Sequence, residues 1–130
     1  MSIDLDHFIV SARDQRAAAK LLGELLGVPW ADHGAGPFSP VYVNEGLTLD
    51  FIDDDSEFAI AHFCFRVDDA TFDAILARLI AAKVPYRSSV RGPQDMRVGT
   101  DYGGRMVYWN VPEGHQWEML TVSYAREPSR

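Results

Sequence analysis

The segment DHFIV at residues 6–10 returns as AHFCF at residues 61–65, with a histidine in the second position of both copies. Each copy is followed by a stretch in which apolar residues lie three or four positions apart, and this spacing predicts an amphipathic helix. The apolar positions are Ala18, Leu21, Leu22, Leu25 and Leu26 in the first helix, and Phe72, Ile75, Leu76, Leu79 and Ile80 in the second. The chain therefore contains an internal duplication, and the duplication predicts its fold.

Further landmarks recur in the same order after each helix. The tripeptide VPW at residues 28–30 corresponds to VPY at residues 84–86, and a Glu-Gly pair follows in both copies. Aligning the two Glu-Gly pairs places Asp50 opposite Glu118. Each copy has the pattern of a strand, a helix and about three short strands separated by glycine and proline turns.

These patterns predict an α+β fold made of two βαβββ modules within one domain. Module one spans residues 1–56, module two spans residues 57–124, and a short tail occupies residues 125–130.

The helix ends carry recognisable capping residues. Asp14 is predicted to cap the start of the first helix, and Asp68 or Asp69 the start of the second. Gly27 is predicted to end the first helix in a left-handed conformation.

The composition restricts the partners of the protein. The chain has 130 residues and a net charge of −7, which argues against nucleic acid because binding that polyanion needs a basic face. No apolar run approaches the roughly 20 residues that cross a bilayer, and no signal peptide is recognisable at the start. Since a single cysteine cannot form an internal disulfide, we expect a soluble protein of the reducing cytoplasm.

The strand pattern brings four acidic and imidazole side chains to one face. Side chains alternate along a strand, so the Phe-rich faces suit packing on the helices and the opposite, concave face receives His7, His62, Asp50 and Glu118. A buried carboxylate is costly unless it is paired or binds a metal. Two imidazoles and one or two carboxylates therefore predict a divalent-metal site.

Other residues receive secondary predictions. Arg66 lies on the predicted metal-binding face and is a candidate clamp for a substrate carboxylate or phosphate. Cys64 is predicted to be an inert filler on that face. His33 and His115 have no equivalent in the other copy, so turn or surface roles are predicted for them. The glycine-rich stretch at residues 88–105 is predicted to be a mobile loop near the site.

The stretch YWNVPEGHQWE, residues 108–118, is similar to the closing hairpin of the vicinal oxygen chelate superfamily, aromatic-x-x-Asp-Pro-x-Gly-x-x-x-Glu. Val111 stands where that family often has Asp. The resemblance runs from Ile3 to about Val122. It implies paired modules that form an incomplete mixed β-barrel around one divalent ion (Fe, Ni, Zn, Mn or Co), with the helices on the outer face.

The resemblance also implies roles for individual residues. His7 and His62 would come from the first strands of the modules, and Glu118 from the last strand, as metal ligands. Asp50 would be a fourth ligand or, together with Glu118, a catalytic carboxylate. Many relatives are homodimers, so a homodimer is expected. The residues predicted to bind substrate are Arg66, Tyr108 and Gln116.

Three functions follow from the resemblance. We favour a lyase or isomerase acting on a small carbonyl or hydroxy compound that is chelated through two vicinal oxygens, with Asp50 as the base. An Fe(II) extradiol-type dioxygenase is the enzymatic alternative, because it uses two histidines and one carboxylate. A drug- or metabolite-binding resistance protein is the non-enzymatic alternative, which suits the net charge of −7.

Overall fold

The computed structural model of the chain describes residues 1–126, so residues 127–130 of the predicted tail lie outside the described residues. The first half contains β1 (His7–Ala12), α1 (Gln15–Leu26), β2 (Ser39–Asn44) and β3 (Leu47–Asp53). The second half contains β4 (His62–Arg66), α2 (Asp69–Ala81), β5 (Tyr86–Arg87), β6 (Met106–Trp109) and β7 (Gln116–Leu120).

The chain forms two compact units. The first unit is Met1–Ala59 with Val111–Glu113, and the second is Ile60–Asn110 with the described residues from Gly114 onward. Their boundary lies three residues beyond the one predicted from the sequence, and a short piece of the closing hairpin belongs to the first unit. Each unit contains one helix and one sheet, so the α+β prediction is confirmed.

The two sheets have equivalent strand orders, β1-β3-β2 in the first unit and β4-β7-β6-β5 in the second. In both units the first strand runs parallel to the last strand, which is antiparallel to the strand before it. This repeated topology confirms the duplication. The counterpart of β5 in the first unit is reduced to one bridge between Trp30 and Val41. The turn residues Gly34, Gly36 and Pro37 follow soon after this bridge and prevent a longer strand.

The helix caps agree with the sequence. The Asp14 carboxylate accepts a hydrogen bond from the Ala17 backbone N–H at 3.1 Å, and the Asp68 carboxylate accepts one from the Thr71 N–H at 2.7 Å. Gly27 ends α1 in the left-handed region with φ of 72°. The predictions for the helix ends are thereby confirmed, with Asp68 rather than Asp69 as the second cap.

The apolar stripes of the helices form much of the core. Phe72, Ile75 and Leu79 of α2 are buried, whereas Ile80 is exposed, so the predicted stripe is one residue too wide. The second sheet contributes its aromatic face to the core of its unit, where the Phe63 ring stacks on Trp117 with centroids 4.7 Å apart. The buried apolar residues of the first unit include Val10, Ala18, Leu22, Leu25, Leu49 and Phe51. Among the described residues, no helix is both long and apolar enough to cross a membrane.

We predict that Gly27→Ala lowers the free energy of unfolding by about 1–2 kcal/mol, because a Cβ atom is disfavoured in the left-handed region that Gly27 occupies. Urea denaturation measures this change. Gly46→Ala is the matched control, since a Cβ there meets only an ordinary contact with Asn44 at 3.6 Å. Equal effects of the two substitutions would contradict the prediction.

Candidate metal centre

The strand register of the second sheet places four polar side chains in one row. Cys64 lies opposite Glu118, Glu118 opposite Tyr108, and Tyr108 opposite Arg87. Directly opposed residues point to the same face of a sheet, so this row lies on the face away from Trp117. The predicted separation of an aromatic core face and a polar face is therefore confirmed within this unit.

His62 and Glu118 are in direct contact on the polar face. The Nε2 atom of His62 lies 2.9 Å from Oε1 of Glu118, across the parallel pair β4 and β7. Glu118 is fully buried, whereas His62 keeps an exposed edge. A buried carboxylate requires hydrogen-bond donors or a cation, and His62 supplies one such partner.

Tyr124 is the second partner of Glu118. Its hydroxyl lies 2.8 Å from each carboxylate oxygen and donates to them from the segment that follows β7. Burial raises the pKa of Tyr124 above its ordinary value and raises the pKa of Tyr108 to about 12. Both hydroxyls therefore stay protonated at neutral pH, and Tyr124 remains a donor to Glu118.

The Cys64 thiol is also close to this carboxylate. Although the Cys64 side chain is exposed, partial desolvation, followed by the charge of Glu118 and a hydrogen bond to it, raises the pKa of the thiol to about 12. The thiol is thus protonated at neutral pH and a poor nucleophile, in agreement with the predicted inert role.

The first unit contains the equivalent face. In its sheet, His7 pairs with Thr48, and Asp50 pairs with Ile9. His7 and Asp50 line one pocket of about 440 Å³, together with Asp6, Ala35, Gly36, Phe38, Pro40, Tyr42 and Thr48. The structure therefore brings the first predicted histidine and the first predicted carboxylate to one pocket.

The surroundings of His7 and Asp50 shift the pKa values of both side chains. Nδ1 of His7 lies 2.7 Å from Oδ2 of Asp6, and this hydrogen bond raises the pKa of His7. Burial raises the pKa of Asp50, and the attraction of His7 partly opposes that shift. Because Asp6 binds Nδ1, Nε2 is the ring nitrogen of His7 that is placed to bind another group.

The residues predicted to bind substrate have different surroundings. Arg66 is exposed and lines a pocket of about 280 Å³ with Cys64, Leu120, Ser123, Tyr124 and Ala125. Tyr108 is buried in the row next to Glu118. Gln116 is opposite His62, and its amide oxygen accepts hydrogen bonds from Arg87 and Asn110.

The two remaining histidines differ from each other. His33 is exposed, and its Nε2 lies 2.7 Å from a guanidinium nitrogen of Arg16, as expected for a surface residue. His115 is buried, and its Nδ1 accepts a hydrogen bond from the Ala61 N–H at 3.0 Å. The surface role predicted for His115 is wrong, because the turn before β7 directs the ring inward against Phe63 and Trp117.

Sequence reasoning missed Tyr124, Arg87 and Asn110 as parts of this site. Arg87 had a usable signal, since alternation after Tyr86 puts it on the polar face. Tyr124 had none, because it lies beyond the last strand and no periodicity fixes the path of that segment.

Within residues 1–126, no three His, Cys, Asp or Glu side chains come together as a metal centre. The structure brings together His62 with Glu118 in one unit, and His7 with Asp50 in the other. The chemistry of the first pair fits a divalent ion, because an imidazole nitrogen and a carboxylate oxygen, both common ligands of such ions, lie 2.9 Å apart. The full ligand set of His7, His62, Glu118 and Asp50 remains a prediction.

We predict that Cys64 reacts with iodoacetamide at pH 8 at least about a hundredfold more slowly than free cysteine, because its raised pKa leaves little thiolate. Glu118→Gln removes the nearby negative charge and should accelerate the reaction severalfold. Mass spectrometry of the alkylated protein measures both rates.

Glu45→Gln is the control for this experiment, since Glu45 is an exposed turn residue and its substitution should leave the rate unchanged. Circular dichroism checks that Glu118→Gln remains folded. A folded variant that reacts at the wild-type rate would show that Glu118 does not control the thiol.

Solved structures with this fold match nearly the whole chain. Oxidase ChaP-H2 is 33% identical with a TM-score of 0.89, and the match covers 96% of this chain and 98% of that chain. Oxidase ChaP-H1 is 34% identical with a TM-score of 0.86, covering 95% and 99%. A glyoxalase/dioxygenase from Nostoc punctiforme is 19% identical with a TM-score of 0.66, covering 92% and 91%, and shows the fold alone.

No protein-family model and no curated protein matches the sequence. The duplicated topology, the polar face with its histidine and carboxylate, and the similarity to the two oxidases agree with the resemblance seen in the closing hairpin. The chain belongs to the vicinal oxygen chelate superfamily.

Proposed function

We propose that the protein is a metal-dependent oxidase that uses dioxygen on a small substrate with two neighbouring oxygen atoms. The contact between His62 and the buried carboxylate of Glu118 is the observation that carries the proposal. Similarity above 30% identity to two proteins named oxidases favours oxidation over the lyase or isomerase chemistry preferred from the sequence.

His7 is the proposed third ligand. With His62 and Glu118 it makes the set of two histidines and one carboxylate, which is typical of non-haem Fe(II) sites and leaves positions open for a substrate. The hydrogen bond between Asp6 and Nδ1 of His7 supports this role, because ligand histidines commonly bind a carboxylate through the other ring nitrogen. A divalent ion bound there supplies a Lewis acid for the two oxygens of the substrate.

The other side chains have proposed roles that their environments support. Tyr124 holds the Glu118 carboxylate in place through its two contacts of 2.8 Å. Asp50 accepts a proton from a substrate hydroxyl, since its raised pKa brings it closer to that of a useful base. Arg66, exposed at its pocket, contacts an anionic group of the substrate.

We predict that the purified protein binds one Fe(II) or similar divalent ion per chain, and that His62→Ala and His7→Ala each weaken binding by about a hundredfold or more, because each removes a ligand. Elemental analysis and competition with a chelator measure stoichiometry and affinity. His33→Ala is the matched control, since His33 is exposed and bonded to Arg16.

Oxygen uptake tests the reaction class on the same metal-loaded protein. We expect uptake with a catechol or a hydroxyquinone, and a large loss of turnover with unchanged metal affinity in Asp50→Asn. Isomerisation of a hemithioacetal without oxygen uptake would instead support a lyase. Unchanged ion affinity in both histidine variants would exclude the proposed metal site.

We also propose that the protein is a homodimer in which a second copy covers strand β1. β1 lies at the edge of its sheet. Ile9, within β1, is 53% exposed, and Leu5, just before the strand, is 64% exposed. An apolar edge strand is a common site of association between chains.

Light scattering should therefore give twice the chain mass of 14.5 kDa, and Leu5→Glu should shift the protein toward monomer. Ile80→Glu is the control, because Ile80 is similarly exposed, at 56%, on α2. A wild-type monomer at micromolar concentration would contradict the proposal.

A further inference from the structure

The amide of Gln116 has one chemically allowed orientation. The Nη2 atom of Arg87 donates to the amide oxygen of Gln116, and Nδ2 of Asn110 donates to the same oxygen at 3.3 Å. A guanidinium has donors and no acceptor, so the oxygen must face Arg87 and the amide nitrogen must point away from it.

Asn110 is oriented by the same neighbours. Its Oδ1 atom accepts from Nη1 of Arg87 at 2.6 Å, and its Nδ2 donates to the backbone carbonyl of His115 at 3.2 Å. Since each of these bonds allows only one assignment of donor and acceptor, the network of Arg87, Asn110 and Gln116 is fixed as a whole.

Arg87 is an unusual member of this network because it is a charge that is only 6% exposed. Within residues 1–126 its hydrogen-bond acceptors are all neutral oxygens, which belong to Val90, Asn110 and Gln116. A cation bound to an amide oxygen withdraws electron density from the amide, so the N–H groups of Gln116 become stronger donors.

Gln116 is a neighbour of the candidate metal ligands in the sheet. Gln116 pairs with His62 across β4 and β7, and it precedes Glu118 by two residues on the same face of the strand. The side chain is half-buried, and among residues 1–126 its amide nitrogen donates to no other group.

We propose that the amide nitrogen of Gln116 is a hydrogen-bond donor that recognises a carbonyl, enolate or phenolate oxygen of the substrate beside His62 and Glu118. Arg87 and Asn110 are positioning residues that fix and polarise this donor. The proposal rests on the proposed function, since it places a substrate oxygen at the candidate metal centre. A preorganised donor of this kind stabilises negative charge on the oxygen when the substrate loses a proton.

The probe for the test is 4-nitrocatechol, which has two neighbouring oxygens and changes its visible absorption when it is deprotonated. Titration into the metal-loaded protein gives its dissociation constant, and a pH series gives the pKa of the bound probe. Gln116→Glu has the same shape but replaces the donor with a negative charge. It should weaken binding by about tenfold or more and raise the pKa of the bound probe.

Gln116→Met is the second variant, because it removes the donor without adding a charge, and it should shift both quantities in the same direction by a smaller factor. Arg87→Met should also raise the pKa of the bound probe, and Arg87→Lys should restore part of the wild-type value by keeping the charge. Arg97→Met is the control, since Arg97 is exposed on a loop. A merely structural role of Arg87 would change thermal stability and leave the pKa of the bound probe unchanged.

The outcomes separate this inference from the proposed function. If wild-type protein binds the probe and both folded Gln116 variants bind it with unchanged affinity and pKa, the donor role is wrong and the metal-dependent function stands. If metal-loaded wild-type protein binds no probe, the proposed function fails and the donor role fails with it.

Discussion

The arrangement of polar side chains in the second half of this protein depends on one fully buried carboxylate, that of Glu118. Glu118 lies on a central strand and cannot be hydrated, so the surrounding chain must neutralise or solvate it. His62 on the neighbouring strand and Tyr124 beyond the sheet meet this need from two sides. The neighbours of Glu118 in the polar row of this sheet are therefore grouped around its carboxylate.

The equivalent acid in the first half has a different environment. Asp50 occupies the register position that corresponds to Glu118, but it borders an open pocket with His7. Burial raises the pKa of Asp50, whereas the Glu118 carboxylate accepts hydrogen bonds from Tyr124 and contacts His62. One duplicated framework therefore supplies two carboxylates with different chemical properties. The two modules share one strand topology, but the surroundings of their equivalent carboxylates differ.

Most of the framework could be predicted because it depends on local rules. Periodicity identified both helices, short polar side chains identified their caps, and alternation identified the face that carries His62 and Glu118. The failures involve contacts between residues far apart in sequence. Burial of His115 depends on how a turn presents its ring, and the contact of Tyr124 depends on the path of the chain after the last strand. Neither the burial of His115 nor the contact of Tyr124 is indicated by a periodic pattern in the sequence.

The position of Tyr124 shows that two different parts of the module position the acid and cover it. Backbone pairing in the sheet, which both halves share, determines where an acid stands. The segment that leaves the sheet determines which side chain covers that acid, and there the halves differ. In the first half the equivalent residue is Ser56, six residues after Asp50, and its hydroxyl donates to Asp54 instead of the strand carboxylate. The exit segments are therefore where a duplicated scaffold of this type can acquire new chemistry without disturbing its strand pairing.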